Sequence, residues 1–469
     1  MPELDRVMNH KIVRSMFNFY SGRGEKYIEE LFGKSRVISP LAPLARLPIL
    51  LTFNKAMKKL GLNKRLIQDF LSQYWHRQTL LNAMSTVGKY GLKQPFRFDA
   101  PLVIVWNYTN LCNLRCRYCY QSAGASLKDE LSFEEKINLI DQMVEAHVAY
   151  IAFSGGEPAI GERFWEVLSY ASRFVNTSIA TNGIIFKDAS AVKKAADCGT
   201  QHVFVSLDGA AAASHDFIRG EGSFEKTIRG IKNLVKEQRL STGINMVVTR
   251  RNLYEVPAVL KLAQELGVKS FSHYNFIPTG RGKDDFENDL TPEEREDLLN
   301  LFYDWLSRGK QTGLSIISTS PVYARIIYDR SSGRGSGLFH LTTEISTAIS
   351  GIIKYAGGCG AGRIYAAIQP NGLMTPCVFM PWHTIGDTRK EPFIDIWRNS
   401  ELCKAMVDRE HYHFHCPKYR YICGGCRARA HAYGDVLGCD PGCAEYQRLT
   451  GGSAQTAAHA YEREEALVS

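Results

Sequence analysis

Three cysteines stand in one short segment, at Cys112, Cys116 and Cys119. They follow an apolar run over 101–106 that predicts a buried strand. Three thiolates in one loop can ligate three irons of a cubane [4Fe–4S] cluster and leave the fourth iron without a protein ligand. An iron with an open position is a site for substrate chemistry. The alternative is a structural zinc loop, which normally supplies four ligands.

A second group of cysteines is spaced along residues 359–443. Clustered cysteines in a chain that starts without a signal-peptide pattern are better explained by metal binding than by disulfides. Their number and spacing predict iron–sulfur clusters, with zinc ribbons as the alternative. The group consists of Cys359, Cys377, Cys416, Cys423, Cys426, Cys439 and Cys443. Cys198 and Cys403 fit neither group, and we expect both to be small buried apolar side chains.

The bulk composition is ordinary for a globular protein, with 45% hydrophobic and 22% charged residues among 469. No run approaches the ~18 apolar residues of a membrane-spanning helix. We therefore expect a cytoplasmic protein of two or three domains. The division predicted here is a basic helical domain at 1–97, a catalytic domain at 98–330, a cysteine-rich domain at 331–450 and a tail at 451–469.

Positive charge is concentrated at the start of the chain. Residues 1–97 hold 17 Lys and Arg against 6 Asp and Glu, a net +11, so the remainder carries +9 − 11 = −2. Within this segment an apolar stretch at 41–53 is followed by a basic one. It could cover the catalytic domain with a solvated basic face, or lie on an anionic membrane surface. No recognisable nucleic-acid-binding motif accompanies the charge, and we expect no nucleic-acid partner.

The elements that must position the first cysteines alternate between strands and helices. Strands are predicted at 102–106, 150–153, 178–181, 202–207, 243–248 and 270–276. Ser132 and Glu135 form a predicted capping box, and Thr291 is a predicted N-cap before Pro292. Helices are also predicted at 223–237 and at 254–266, the latter closed by Gly267. Strands that alternate with helices predict parallel βα units.

Polar residues follow several of these strands, where ligands bind in parallel βα folds. Gly155, Gly156 and Glu157 follow the second strand, and their glycines allow the backbone to approach a ligand closely. Thr181 and Asn182 follow the third strand, and Ser206 and Asp208 the fourth. Their hydroxyl, amide and carboxylate groups suit a ribose or a carboxylate, although Asn-Gly and Asp-Gly are also common turn dipeptides.

The C-x3-C-x2-C spacing, with Tyr118 before the last cysteine and Gly155, Gly156, Glu157 and Pro158 downstream, resembles the radical S-adenosylmethionine (SAM) superfamily. The resemblance covers roughly residues 100–285 and 355–445. It implies an α/β fold: a partial (β/α)6 barrel, with a helical N-terminal extension and a small cysteine-rich iron–sulfur domain. It further implies an enzyme whose open iron chelates SAM, and one electron then cleaves SAM to a 5′-deoxyadenosyl radical.

The resemblance also assigns residues to SAM. It implies that Glu157 holds the methionyl amine, that Arg219 binds the carboxylate and that Asn245 contacts the ribose. Tyr118 would cover the adenine, and Ile277 would lie at its edge. The full set of expected cofactor contacts is Tyr118, Gly155, Gly156, Glu157, Thr181, Asn182, Ser206, Asp208, Arg219, Asn245 and Ile277.

The C-terminal cysteines resemble the auxiliary-cluster module called SPASM, or its shortened twitch form, through a C-x12-G-x4-C opening over 359–377. The resemblance implies one or two auxiliary [4Fe–4S] clusters. One grouping joins Cys416, Cys423, Cys426 and Cys443, and the other joins Cys359, Cys377 and Cys439. Twelve residues separate Cys426 from Cys439 where five are usual, so the number of clusters is left open.

Similar phrases occur in the synthases of haem d1 and of the alternative haem pathway, and in peptide-modifying relatives. The expected function is hydrogen abstraction from a substrate, with an auxiliary cluster accepting an electron. A tetrapyrrole or other small molecule is the first substrate class, a peptide or protein the second, and a lipid reached through residues 1–97 the third. A reductant such as ferredoxin or flavodoxin would supply the electron.

Overall fold

The computed structural model describes residues 6, 8–22, 74–308, 313–333, 336–338, 341–343, 355, 357–414 and 416–450. Its strands are β1 Val103–Thr109, β2 Tyr150–Gly155, β3 Asn176–Thr181, β4 His202–Ser206, β5 Ser241–Val248, β6 Ser270–Asn275, β7 Ser315–Ser318, β8 Ser336–Leu338, β9 Leu341–Thr343, β10 Tyr365–Ile368, β11 Leu373–Thr375 and β12 Gly386–Asp387. Its α-helices are α1 Lys11–Ser21, α2 Tyr74–Tyr90, α3 Phe133–Glu145, α4 Phe164–Ala171, α5 Ala189–Asp197, α6 Ala212–Arg219, α7 Ser223–Lys236, α8 Val256–Leu266, α9 Pro292–Ser307, α10 Val322–Arg330, α11 Phe393–Asn399, α12 Glu401–Val407, α13 Arg427–Ala432 and α14 Ala444–Thr450.

Ten strands form one sheet in the order β12-β11-β10-β1-β2-β3-β4-β5-β6-β7. Neighbours from β1 to β7 are parallel, and helices connect them, which confirms the predicted α/β class. All six predicted strands are present. β7 is an additional parallel strand that the sequence reading missed, because four residues with serine at both ends give little strand signal.

Local sequence signals fix the ends of the helices. Ser132 accepts from the Glu135 backbone N–H at 3.2 Å and donates its own backbone N–H to the Glu135 carboxylate at 2.7 Å, so the predicted capping box before α3 is confirmed. Thr291 and Glu294 make the same box before α9. Gly267 ends α8 at φ +78°, a conformation that costs glycine little.

The core lies between the parallel strands and the helices that cover them. Ile104 and Trp106 of β1 and Phe153 of β2 are fully buried in one cluster with side chains from the covering helices. Cys403 of α12 is also fully buried, as predicted. Cys198 caps α5 and is partly buried, with its thiol directed at the Trp165 carbonyl at 3.4 Å.

The cysteine-rich segment shares the sheet with the catalytic segment. β10 pairs in parallel with β1, with Val103 opposite Tyr365, and β11 and β12 follow in antiparallel order. Two segments separated by more than 250 residues are thus held by backbone hydrogen bonds. The cysteines that flank β10 are therefore fixed relative to the loop that follows β1, which positions the two cysteine groups rigidly against each other.

The N-terminal segment is described in part, through α1 and α2. The predicted basic amphipathic stretch at 41–65 lies outside the described residues, so its membrane or covering role stays a prediction. Among the described helices, none has both the length and the apolar character needed to cross a membrane.

Asp99 joins α2 to the cysteine-rich segment. Its buried carboxylate accepts from Lys89 at 2.6 Å and Tyr90 at 3.0 Å, both on α2, and from two nitrogens of Arg398 on α11 at 2.7 and 2.9 Å. Burial would raise the pKa of Asp99, but the hydrogen bonds from Arg398 and Lys89 outweigh burial and hold the pKa at about 2. The ionised form is therefore favoured in the folded state.

We expect Asp99→Asn to lower the free energy of unfolding by about 2 kcal/mol. This loss is smaller than that from breaking a fully buried ion pair, because Lys89 and Arg398 are partly exposed. The contribution of Asp99 is present above its ordinary pKa of 3.8 and is lost as pH falls towards 2. Urea denaturation followed by circular dichroism measures the change. Asp197→Asn, which removes an exposed ion pair with Arg239, is the control and should change little. Equal stabilities of the two variants would contradict the prediction.

Candidate active site

A cavity of about 240 Å³ opens where the parallel strands end. Both cysteine groups contribute to its lining: Cys112, Cys116 and Cys119 on one side, and Cys359, Cys377 and Cys426 on the other. The remaining walls come from the ends of β2 to β7. The predicted strand-end site and part of the second cysteine group thus lie in one chamber.

The first cysteine loop is held by backbone hydrogen bonds and by one arginine. Cys112 donates its N–H to the Gly124 carbonyl at 2.9 Å. Arg281 donates to the Cys116 carbonyl at 2.8 Å and to the Ala123 carbonyl at 2.7 Å. Gly280 has φ +59°, and a Cβ there would lie 2.3 Å from the Cys119 carbonyl oxygen. The turn at Gly280 and Arg281 therefore clamps the loop in a way that only glycine permits.

The thiols of this loop lie in a low-dielectric environment. Burial raises the pKa of Cys112 to about 12 and also raises the pKa of Cys116, against the lowering effect of Arg219. Iron must therefore supply the charge that converts these thiols to thiolates.

Glu157 is expected to hold the methionyl amine of SAM, and that role stays a prediction. Its carboxylate is buried and accepts from the Thr181 hydroxyl at 2.9 Å and from the Asn182 backbone N–H at 2.8 Å. Gly155 and Gly156 line the cavity, but Glu157 does not. Burial raises the pKa of Glu157 to about 7 despite these hydrogen bonds. The carboxylate turns inward because the donors at the end of β3 lie there, and it positions Thr181 and Asn182.

Asp208, another expected SAM or substrate contact, lies outside the cavity lining, and its role toward a ligand stays a prediction. The fully buried carboxylate forms an ion pair with Arg219 and accepts from the Val247 N–H at 2.9 Å. Arg219 does line the cavity, and its guanidinium lies 3.9 Å from the Cys116 sulfur. Asp208 thus orients Arg219, which lines the cavity.

The other predicted cofactor contacts all line the cavity: Tyr118, Thr181, Asn182, Ser206, Asn245 and Ile277. Ser206 and Asn245 are paired in register on adjacent strands. The side-chain oxygen of Asn245 is buried, with no hydrogen-bond partner among the described residues. An unsatisfied acceptor in this position fits the hydroxyl donors of a ribose.

The inner auxiliary group consists of Cys359, Cys377 and Cys426, which face the cavity. Burial raises the pKa of the Cys377 thiol, and the nearby Cys359 and Cys426 thiols raise it further. The Tyr365 hydroxyl lies 2.7 Å from the Cys377 sulfur. Three thiols at one wall suit a cluster with one iron open to the cavity.

The outer auxiliary group consists of Cys416, Cys423, Cys439 and Cys443, which line a second, small cavity of about 30 Å³. This arrangement exchanges Cys426 and Cys439 relative to the grouping expected from the sequence. The reason is the chain path: Cys426 begins α13 and faces Cys359, whereas the turn at Asp440 places Cys439 near Cys443 and Cys416.

The positions of the cysteines suit iron–sulfur clusters better than a single metal ion. Among the described residues, no three His, Cys, Asp or Glu side chains converge on one point that could hold a single metal ion. A cubane places its thiolates on separate irons. The three cavity-lining cysteines on each wall, and the four of the outer group, supply donors of the required type.

Several cavity residues were not assigned from the sequence. Tyr120 and Phe379 pack edge to face at 5.3 Å between ring centres, and Tyr274 lies beside Phe379 at 6.4 Å. They form an aromatic wall that spans the two cysteine loops. The positions of Tyr120 and Phe379, next to Cys119 and two residues after Cys377, were the available signal.

Sequence comparisons agree with this site. Residues 106–263 match the Radical SAM superfamily, and residues 359–427 match the SPASM iron–sulfur cluster-binding domain. An AdoMet-dependent heme synthase of Methanosarcina barkeri is 33% identical over 74% of this chain and 97% of its own length. The mycofactocin maturase MftC of Mycobacterium tuberculosis is 31% identical over 74% of this chain and 84% of its own length.

A solved structure shows the same fold. SuiB of Streptococcus suis, crystallised with the precursor peptide SuiA, aligns over 85% of this chain and 90% of its own with a TM-score of 0.60 and 16% identity. Together with the cysteine-lined cavity and the heme synthase relative, this shows that the chain belongs to the radical SAM superfamily and carries a SPASM iron–sulfur domain.

Proposed function

We propose that this radical SAM enzyme oxidises a planar small molecule of the tetrapyrrole class, bound between the SAM-cluster loop and the inner auxiliary cysteines. The observation that carries the proposal is the shared cavity with its aromatic wall of Tyr120, Tyr274 and Phe379. Aromatic side chains pack face-on or edge-on against aromatic ligands in such cavities. The relative named a heme synthase supports the same substrate class.

In this proposal the cavity residues bind SAM and position the groups around it. When bound, the cluster on the first cysteine loop supplies the electron that cleaves SAM and so generates the radical that abstracts hydrogen. Gly155 and Gly156 bring backbone groups to the cavity wall, and Asn245 offers an acceptor to the ribose. Asp208 holds Arg219 against the cysteine loop. The inner auxiliary cysteines stand opposite, where a cluster could accept the electron left on the substrate, which makes the enzyme an oxidoreductase.

We infer a cytoplasmic enzyme supplied with electrons by a ferredoxin or flavodoxin. A peptide is the second candidate substrate, and the relationship to the mycofactocin maturase favours it. SuiB, with a bound precursor peptide, shows that this fold can hold one. The aromatic wall is the reason that the small molecule is placed first.

Anaerobic protein with reconstituted clusters tests the proposal. SAM and dithionite should yield 5′-deoxyadenosine, and Fe-coproporphyrin III or haem should bind with a change in its visible absorption spectrum. Fe-coproporphyrin III is chosen because a relative is named as its synthase. SAM cleavage without binding of either porphyrin would overturn the tetrapyrrole proposal and favour the peptide. No SAM cleavage would overturn the radical chemistry itself.

Glu157 provides a separate prediction about SAM binding. We expect Glu157→Gln to retain SAM cleavage within a fewfold, because an amide oxygen can still accept from Asn182. Glu157→Ala leaves three buried donors without their acceptor, namely the Thr181 hydroxyl and the N–H groups of Asn182 and Ala159. We expect a loss of about 1–3 kcal/mol, or roughly 5- to 150-fold in kcat/KM for SAM. Initial rates of 5′-deoxyadenosine formation measure both variants. If Gln were as damaging as Ala, the carboxylate charge would be acting directly on SAM. Glu166→Ala, at an exposed site, is the control.

A further inference from the structure

The proposed function needs one external electron for each SAM cleavage, so a reductant must approach the first cysteine loop. Exposure alternates along this loop. Asn113, Arg115 and Arg117 are exposed, whereas Cys112 and Cys116 are partly buried and line the cavity. The outer face of the cluster loop is therefore itself protein surface.

This face carries a fixed arrangement of cations and an aromatic ring. The Arg117 guanidinium stacks on Phe217 at 4.1 Å from the ring centre, and its Nε donates to the Phe217 carbonyl at 2.7 Å. Arg251 approaches the same ring at 5.5 Å. Phe217 remains 46% exposed. We call Arg115, Arg117, Phe217 and Arg251 the cluster-loop patch.

The charge of the patch is not neutralised locally. Nearby Arg219 and Arg250 form ion pairs with Asp208 and Glu294, but among the described residues none of the three arginines of the patch has an ion-pair partner within 4.0 Å. The chain beyond residue 97 has a net charge of −2, so this accumulation of positive charge is local. An uncompensated positive surface attracts an acidic partner and accelerates its association.

The composition also suits a protein interface. Arginine and exposed aromatic side chains are enriched at the energetic centres of interfaces. Stacking on Phe217 restrains Arg117 before any partner arrives, which reduces the ordering cost of binding. These features are those of a surface that binds another protein.

We propose that the cluster-loop patch docks an acidic electron-transfer protein, with a reduced flavin or iron–sulfur centre, that delivers the electron to the SAM cluster. The proposal rests on the proposed radical SAM function. It adds the surface through which the reductant acts. Cys116, which belongs to the same loop as Arg117, lies 3.9 Å from the Arg219 guanidinium in the cavity lining.

The test uses the full chain with reconstituted clusters and the double variant Arg117→Glu with Arg251→Glu. The rate of 5′-deoxyadenosine formation is measured against the concentration of an acidic flavodoxin, and separately with dithionite. We expect the KM for flavodoxin to rise at least tenfold and the dithionite rate to stay within twofold. Added salt should slow the flavodoxin reaction of the native chain and have little effect on the variant.

The double variant Lys193→Glu with Lys232→Glu, at exposed positions of α5 and α7, is the matched control for a change in net charge. An unchanged KM in the patch variant, or an equal rise in the control, would overturn the docking proposal. An equal fall with dithionite and flavodoxin would also overturn it, because the arginines would then support the cluster. If the native chain gave no 5′-deoxyadenosine with dithionite, the proposed function would fail instead.

Discussion

Replacing Cys112, Cys116 and Cys119 together by alanine is expected to abolish 5′-deoxyadenosine formation from SAM and dithionite. The three thiols are the expected cluster ligands of the loop after β1, and we expect no cluster to bind SAM there without them. The loss should exceed about 10³-fold, since the chemistry belongs to the cofactor. The variant should also contain about four fewer irons per chain than the native protein.

Cys198→Ala is the matched control for this triple variant, because Cys198 belongs to neither cysteine group and its thiol is directed at the Trp165 carbonyl. It should retain both iron content and SAM cleavage. A triple variant that kept its full iron content would show that these thiols are not cluster ligands.

Paired alanine substitutions in the second cysteine group should reveal which cysteines share a cluster. In the structure, Cys377 and Cys426 line one cavity and Cys443 lines another. With three clusters the native chain should hold about twelve irons. We expect Cys377→Ala with Cys426→Ala to lose about four, and Cys426→Ala with Cys443→Ala to lose about eight. The grouping expected from the sequence predicts the opposite result for the two pairs.

The same variants separate the two stages of the reaction. Loss of the inner cluster should leave SAM cleavage by dithionite largely intact and stop oxidation of the substrate, because the inner cysteines that would hold that cluster are separate from those of the first loop and line the same cavity. Iron and sulfide analysis, with electron paramagnetic resonance spectra, measures the clusters. Equal iron losses in both pairs would contradict two separate auxiliary groups.

The fold was predictable where the signal is local. Capping boxes at Ser132 and Thr291 involve residues three apart, and their hydrogen bonds form within one helical turn. Parallel strands buried on both faces leave apolar runs that periodicity detects. β7 was missed because four residues carry too little pattern. The pairing of β10 with β1 was also missed, because register between segments so far apart in sequence leaves no mark in either one.

Some site residues were likewise placed correctly at the strand ends from sequence, whereas the surroundings of others depend on the folded chain. Thr181, Asn182, Ser206 and Asn245 line the cavity, since parallel topology brings strand ends to one edge, and their contacts with SAM stay predictions. Glu157 and Asp208 do not line the cavity, because each carboxylate is buried and accepts hydrogen bonds from other groups of the protein. A buried acceptor takes whichever donors are closest, and those donors come from other strands or from the next helix.

The sequence by itself determined the chemistry, because three cysteines in one loop and a spaced second group fix which ligands are available whatever the chain does elsewhere. Only the tertiary structure decided how they are used. The Cys359 N–H bonds to the Cys423 carbonyl at 3.1 Å, and the Tyr365 hydroxyl meets the Cys377 sulfur at 2.7 Å. The folded chain also places Cys426 in the lining of the main cavity and Cys439 in that of the small one. These contacts and positions build one chamber from two cysteine loops, because they depend on backbone paths that converge only after folding.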